Sequence, residues 1–127
     1  MSYAAAIAMV VILAGLAVFQ AALAAGAPLA RFAWGGQHER LPPRLRLGSL
    51  IAILIYAVFA AILLQRAGIV ALLPGGDWLG IANWVVVGYC ALGIPMNAIS
   101  RSRPERFTMT PLVTLLFGLS LVVALGL

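Results

Sequence analysis

Four long apolar stretches dominate the chain, and short polar segments separate them. The stretches cover about 3–25, 47–65, 79–99 and 109–127. Each is close to the ~20 residues that an α-helix needs to cross the hydrocarbon core of a bilayer. Because a helix satisfies its own backbone hydrogen bonds, apolar runs of this length predict membrane-spanning helices. We therefore expect an all-α membrane protein, a four-transmembrane-helix bundle that forms a single domain over 1–127.

Composition supports this prediction and excludes an ordinary soluble domain. Of the 127 residues, 65% are hydrophobic and 9% are charged. A soluble domain contains roughly 45–50% apolar and about 25% charged residues. A chain this short leaves a large share of its surface exposed, so a soluble fold could not hide so much apolar area from water.

The distribution of arginine predicts the orientation of the spans. All eight basic residues are arginine, and seven of them lie in the first and third connections. Only Arg66 borders the second connection, and neither tail contains a basic residue. Since arginine near the end of a span resists translocation, the first and third connections should be cytoplasmic. The second connection and both termini would then lie on the non-cytoplasmic side of a cell inner membrane.

The basic side chains of these connections are candidates for contacts with anions or lipid head groups. A net charge of +5 could also indicate a nucleic-acid binder, but topology explains the charge, and the loops carry no aromatic interleaving on a recognisable nucleic-acid fold. We therefore expect the lipid bilayer, especially anionic lipids, as a partner, and no nucleic acid. The candidate contacts are Arg31, His38, Arg40, Arg44, Arg46, Arg101, Arg103 and Arg106.

The first connection, 26–46, is much longer than the few residues that usually join neighbouring helices. Gly35-Gly36 permits a sharp turn and Pro42-Pro43 blocks helix before the second span, so we expect a structured, partly buried segment at the interface. Its His38 and Glu39 could form a solvated turn with a salt bridge to arginine, an anion site, or an acid–base pair. A single histidine and one carboxylate do not supply the three or four ligands of a zinc site, so no metal or cofactor is predicted.

The third apolar stretch carries small and polar residues along one side of the predicted helix. Asn83, Cys90 and Gly93 recur at helical spacing, and Asn97 and Ser100 continue the stripe. Small and polar residues in a membrane helix usually face another helix. The stripe therefore predicts a helix-packing seam at Asn83, Cys90 and Gly93, with the lining of a substrate path as the alternative.

A polar pocket is predicted where the first and third spans approach the arginine-rich connections. Gln20 lies toward that end of the first span, and Asn97 lies at the matching depth of the third. If these two helices pack together, Gln20, Asn97 and the Ser100 hydroxyl would converge beneath the loops. This hypothesis rests on depth and spacing alone.

Several short segments resemble a family of small bacterial four-span integral membrane proteins that has no assigned activity. The resemblance covers nearly the whole chain. It implies a bacterial inner membrane and the four-span layout, and it implies no activity and no functional residues. The segments are Gly26-Ala27-Pro28-Leu29, Gly35-Gly36, Leu41-Pro42 followed by Arg46, Met96-Asn97-Ala98-Ile99-Ser100, Glu105-Arg106 and Pro111.

Three classes of function remain open, and the first is favoured. This class is an accessory or structural subunit, or one that binds lipid or a small ligand, with a larger membrane protein as a possible partner. The second is a small oligomeric channel or transporter for a neutral or anionic solute, with proton coupling disfavoured because no ionisable residue lies within a predicted span. An enzyme is disfavoured because the few available bases and nucleophiles have no motif spacing; they are His38, Glu39, Asp77, Cys90 and Glu105.

Overall fold

The computed structural model describes residues 1–127 and consists of four long helices joined by three connections. The helices are α1 (Ser2–Ala24), α2 (Pro43–Arg66), α3 (Trp78–Ala98) and α4 (Arg103–Ala124). Each of them is long and apolar enough to cross a membrane. The predicted all-α architecture, with four helices of membrane-spanning length and apolarity, is thereby confirmed.

Two helices begin earlier than the apolar stretches predicted. Helix α2 starts at Pro43 instead of 47, and α4 starts at Arg103 instead of 109. Proline fits the first turn of a helix, where a backbone N–H would have no partner inside the helix, and both starts carry one, at Pro43 and Pro104. The early start of α4 matters most, because it brings Glu105 into the first turn of this helix.

The C-terminal end of α1 is closed by Gly26. This residue has a φ of +93°, and its N–H donates to the Leu23 carbonyl at 3.1 Å while the Ala27 N–H donates to the Ala22 carbonyl at 2.9 Å. These two bonds form a Schellman motif. The Arg40 guanidinium donates to the Gly26 carbonyl at 2.7 Å, where a cation also complements the negative end of the helix dipole.

The helices pack unequally around the bundle. Helix α1 packs closely on α2, and α3 packs closely on α4; α1 also lies beside α4, whereas α2 and α3 are the most loosely packed neighbours. Because each of them packs on both α2 and α4, helices α1 and α3 lie on a diagonal of the bundle. The chain ends meet, since the Ser2 N–H donates to the Leu127 carbonyl at 2.9 Å. The interior includes the fully buried Met9, Leu63 and Val86.

Helices α3 and α4 approach each other closely at Gly93. A Cβ atom placed on this residue would lie 2.9 Å from Val113 Cγ2, which is too short for a normal contact. Farther along the same face, the buried Asn83 amide donates to the Ser120 carbonyl at 3.2 Å. Small and polar residues of α3 thus face α4.

The first connection folds back over one end of the bundle. It contains two short 3-10 turns, Ala30–Phe32 and Trp34–Gly36. Leu23, Ala30 and Leu41 form a small buried cluster beneath it. The Ser102 hydroxyl, at the start of α4, donates to the Arg31 carbonyl, and this hydrogen bond fastens the first connection to the third.

Candidate functional site

A cavity of about 560 Å³ lies inside the bundle, in the half that the first and third connections cover. All four helices contribute to its wall, and residues 32–35 of the first connection cover its end. The wall is mostly apolar and contains several aromatic rings. A volume of this size, with apolar walls and few polar groups, is typical of pockets for small molecules.

The exposed residues of the cavity wall and the loose packing of α2 against α3 indicate that the cavity opens between these two helices. Its exposed wall residues are Tyr89, Leu92 and Met96 on α3 together with Trp34 in the first connection. On one side of this opening the rings of Phe59 and Tyr89 meet edge to face, with centroids 5.1 Å apart. The opening follows from the loose packing of α2 against α3, and it faces the region that lipid would occupy around a membrane-spanning bundle.

Two amides from the predicted polar pocket line this cavity. The Gln20 amide nitrogen lies 3.5 Å from the Tyr56 hydroxyl, and the Asn97 amide nitrogen donates to the Gly93 carbonyl at 2.7 Å. Each arrangement leaves the amide oxygen without a partner from the protein. The two residues share one cavity although α1 and α3 lie on a diagonal, because the space between the helices is empty.

Ser100, the third residue of the predicted pocket, lies outside the cavity wall. Helix α3 ends at Ala98, so Ser100 no longer follows the stripe of that helix. Its hydroxyl instead accepts a hydrogen bond from the Ser102 N–H at 3.2 Å. Ser100 therefore shapes the turn between α3 and α4.

Glu105 is the acidic residue of the cavity wall, and its side chain is only 9% exposed. The spacing Ser102-Arg103-Pro104-Glu105 matches a capping box, in which the glutamate would bond back to the serine N–H. Only half of this motif forms: the Glu105 N–H donates to the Ser102 hydroxyl at 3.4 Å, while Ser100 takes the Ser102 N–H. The Glu105 carboxylate is thus left facing the cavity. The same four-residue spacing could have marked the true start of α4.

The arginines lie around this end of the bundle, but none of them lines the cavity. Several hold loop backbone instead: Arg46 donates to the Leu41 carbonyl at 2.8 Å, and the Arg106 guanidinium lies 3.4 Å from the Ser100 carbonyl. Arg31 lies over the Phe32 ring at 5.1 Å. The exposed side chains of the set are Arg31, Arg40, Arg44, Arg101 and Arg103, and His38 is half-buried.

Trp34 forms part of the cover of the cavity. Its backbone is in the left-handed region with a φ of +53°, a conformation that costs roughly 1–2 kcal/mol for a residue with a Cβ atom. Its ring packs on α2 at Gly48, where an added Cβ would lie 3.0 Å from Trp34 Cζ2. Glycine on the helix therefore makes room for the indole. Neither Trp34 nor Tyr56 was predicted as a site residue, because their approach depends on how the first connection and α2 pack.

The fold and the cavity together define a class: an all-helical chain with four helices able to span a membrane and an internal, laterally open cavity with one carboxylate in its wall. No protein family model, curated protein or solved structure matches the chain. The resemblance to a family of four-span bacterial proteins stays a prediction. What the protein does must be argued from the geometry of the cavity.

Proposed function

We propose that the protein binds a small amphiphilic molecule in the cavity, which the ligand enters from the bilayer between α2 and α3. The observation that carries this proposal is the lateral opening of an apolar cavity of about 560 Å³ in which two amide oxygens and a carboxylate lack internal partners. Apolar walls suit the body of such a molecule, and the polar groups would orient it. The protein would then act as a ligand-binding membrane subunit.

The position of Gly93 favours this role over that of a purely structural subunit. A docking face for a larger membrane protein would use the small residues of α3. Gly93 instead approaches Val113 of α4 within the same chain. The small-residue side of α3 therefore packs against α4 within the same chain. Packing within the chain does not account for the cavity.

We place the protein in a bacterial cytoplasmic membrane with the cavity toward the cytoplasmic leaflet. Support comes from the positive-inside rule, since the arginine-rich connections lie at the cavity end of the bundle. Both termini and the second connection would be non-cytoplasmic.

Cysteine labelling tests this orientation. Cys90 is buried and would be replaced by alanine, and single cysteines would then be introduced by Gln37→Cys or Gly75→Cys, both at exposed loop positions. A membrane-impermeant maleimide should label the Gly75→Cys variant in intact cells. The Gln37→Cys variant should react only after permeabilisation, and the reverse pattern would place the cavity at the opposite leaflet.

Trp34 offers a direct measurement of ligand binding. Of the three tryptophans, Trp34 lines the cavity, whereas Trp78 and Trp84 do not. In a Trp78→Phe, Trp84→Phe background, bromododecanol should quench Trp34 fluorescence saturably in detergent. Ala33→Phe adds a ring to the wall and should weaken this quenching about tenfold or more, because the ring takes volume that the ligand needs.

Ala57→Phe is the matched control, because Ala57 lies on the exposed side of α2, outside the cavity wall. This variant should bind the probe like the parent. Equal weakening in the two variants would point to a general loss of packing, and equal, non-saturable quenching in all three would show that the probe acts from the micelle, which contradicts the proposal.

A further inference from the structure

The Glu105 carboxylate has no partner from the protein. Its side chain is 9% exposed and lines the cavity. The serine N–H that a capping box would offer it is taken by the Ser100 hydroxyl at 3.2 Å, and no hydrogen bond or ion pair of the structure engages its oxygens. The Glu105 oxygens are not among the fully enclosed polar atoms of the chain, so water or a ligand can reach them from the cavity.

The chain's own cations do not pair with this carboxylate. The arginine nearest in sequence, Arg106, has its guanidinium 3.4 Å from the Ser100 carbonyl and 4.9 Å from the Phe107 ring centre, and it is not part of the cavity wall. The other arginines also lie outside the wall. A positive group that meets Glu105 must therefore come from a ligand.

We infer that the cavity binds an amphiphilic organic cation, an ammonium group on an apolar body, with Glu105 as its counter-ion. This inference rests on the proposed function and adds the charge of the ligand. The carboxylate supplies the opposite charge at one end of an otherwise apolar space. The sequence allows an anionic solute as an alternative ligand. The carboxylate would repel such a solute, and no arginine of the cavity wall would offset this repulsion.

Other groups of the same cavity suit an amphiphilic cation. The rings of Trp34, Tyr56 and Tyr89 belong to the same cavity, and aromatic faces attract ammonium groups. The amide oxygens of Gln20 and Asn97 are free to accept hydrogen bonds from an ammonium N–H. Apolar residues of α1 and α4 would surround the tail.

Three probes with the same tail separate charge from apolar binding. Bromododecylammonium, bromododecanol and bromododecyl sulfate differ only in the head group, and each can quench Trp34 in the single-tryptophan protein. We expect the cation to bind roughly tenfold to a hundredfold more tightly than the alcohol, as an opposite charge in a desolvated site would allow. The sulfate should bind most weakly.

Glu105→Gln removes the charge and keeps the shape of the side chain. This variant should bind the cation and the alcohol with similar affinity, so that the preference of roughly tenfold to a hundredfold disappears. Glu39→Gln is the matched control: Glu39 is exposed in the first connection and lies outside the cavity wall, so its removal should leave the preference intact. Glu105→Asp keeps the charge at the first turn of α4 and should retain part of the preference.

Binding of bromododecanol distinguishes a failure of the inference about a cation from a failure of the proposed function. If all three probes bind equally to the parent and to Glu105→Gln, the cavity is a binding site but the inference about a cation is wrong. If no probe quenches Trp34 saturably, the proposed function itself fails. Unchanged alcohol binding by Glu105→Gln shows that the variant is folded. If the variant loses alcohol binding, the inference is tested by whether the parent protein and Glu105→Asp bind the cationic probe more tightly than the alcohol.

The ammonium group could belong to a free amphiphile or to a lipid head group. Nanodiscs of phosphatidylethanolamine and of an uncharged galactosyl diacylglycerol distinguish the two sources, since only the first lipid carries an ammonium and neither has a net charge that would attract the probe. Weaker binding of the cationic probe in phosphatidylethanolamine would identify the lipid as the competing occupant. Equal binding in both would identify a free amphiphilic cation.

Discussion

Replacing Gly93 by leucine should lower the free energy of unfolding by about 3 kcal/mol or more, near the upper end of overpacking effects. Even a Cβ at this position would lie 2.9 Å from Val113 Cγ2, and the isobutyl group of leucine would force α3 away from α4. The β-branched Val113 has little rotamer freedom on a helix with which to yield. Reversible unfolding in mixed micelles of a denaturing detergent measures the loss.

Gly88→Leu is the matched control on the same helix, because a Cβ there meets nothing within 4 Å. This substitution should change the free energy of unfolding by less than about 1 kcal/mol, as expected for exposed positions. Val113→Ala should restore a large part of the stability of a Gly93→Ala variant, since the two residues are in contact and their effects should not add. Equal losses for Gly88→Leu and Gly93→Leu would contradict the close approach of α3 and α4.

The four long apolar helices could be predicted from the sequence because their signal is physical and local. A run of about 20 apolar residues has few alternatives to a spanning helix. The starts of α2 and α4 could not be read from the same signal, since their first turns contain proline and charged residues that lie beyond the apolar run. Turn and cap residues such as Ser102 and Pro104 set these boundaries.

The candidate site was only partly predictable. Gln20 and Asn97 line one cavity, and the prediction that grouped them used depth along two helices. Ser100 lies elsewhere because its helix ends two residues earlier, which depth alone does not reveal. The sequence places Glu105 in the third connection. Its unpartnered carboxylate follows from the Ser100 hydroxyl taking the Ser102 N–H that a capping-box glutamate would otherwise accept, and the capping-box spacing does not reveal this.

The contact of the first connection with α4 should be the second point at which a small change has a large effect. Gly36→Ala should lower the free energy of unfolding by about 2–3 kcal/mol. Part of the loss comes from the φ of +73°, which costs a residue with a Cβ about 1–2 kcal/mol. The rest arises because the new Cβ would lie 2.6 Å from Ser102 Cβ and would break the Ser102 bond to the Arg31 carbonyl, releasing the cover of the cavity.

Gly35→Ala separates these two causes. Gly35 has a similar φ of +71°, but a Cβ there meets nothing within 4 Å, so this variant should lose only the backbone part, about 1 kcal/mol. Trypsin provides a second measurement, since cleavage after Arg31 requires the first connection to leave the bundle. Cleavage should be faster in Gly36→Ala than in Gly35→Ala. Equal stability and equal cleavage in the two variants would mean that Ser102 does not hold the first connection over the cavity.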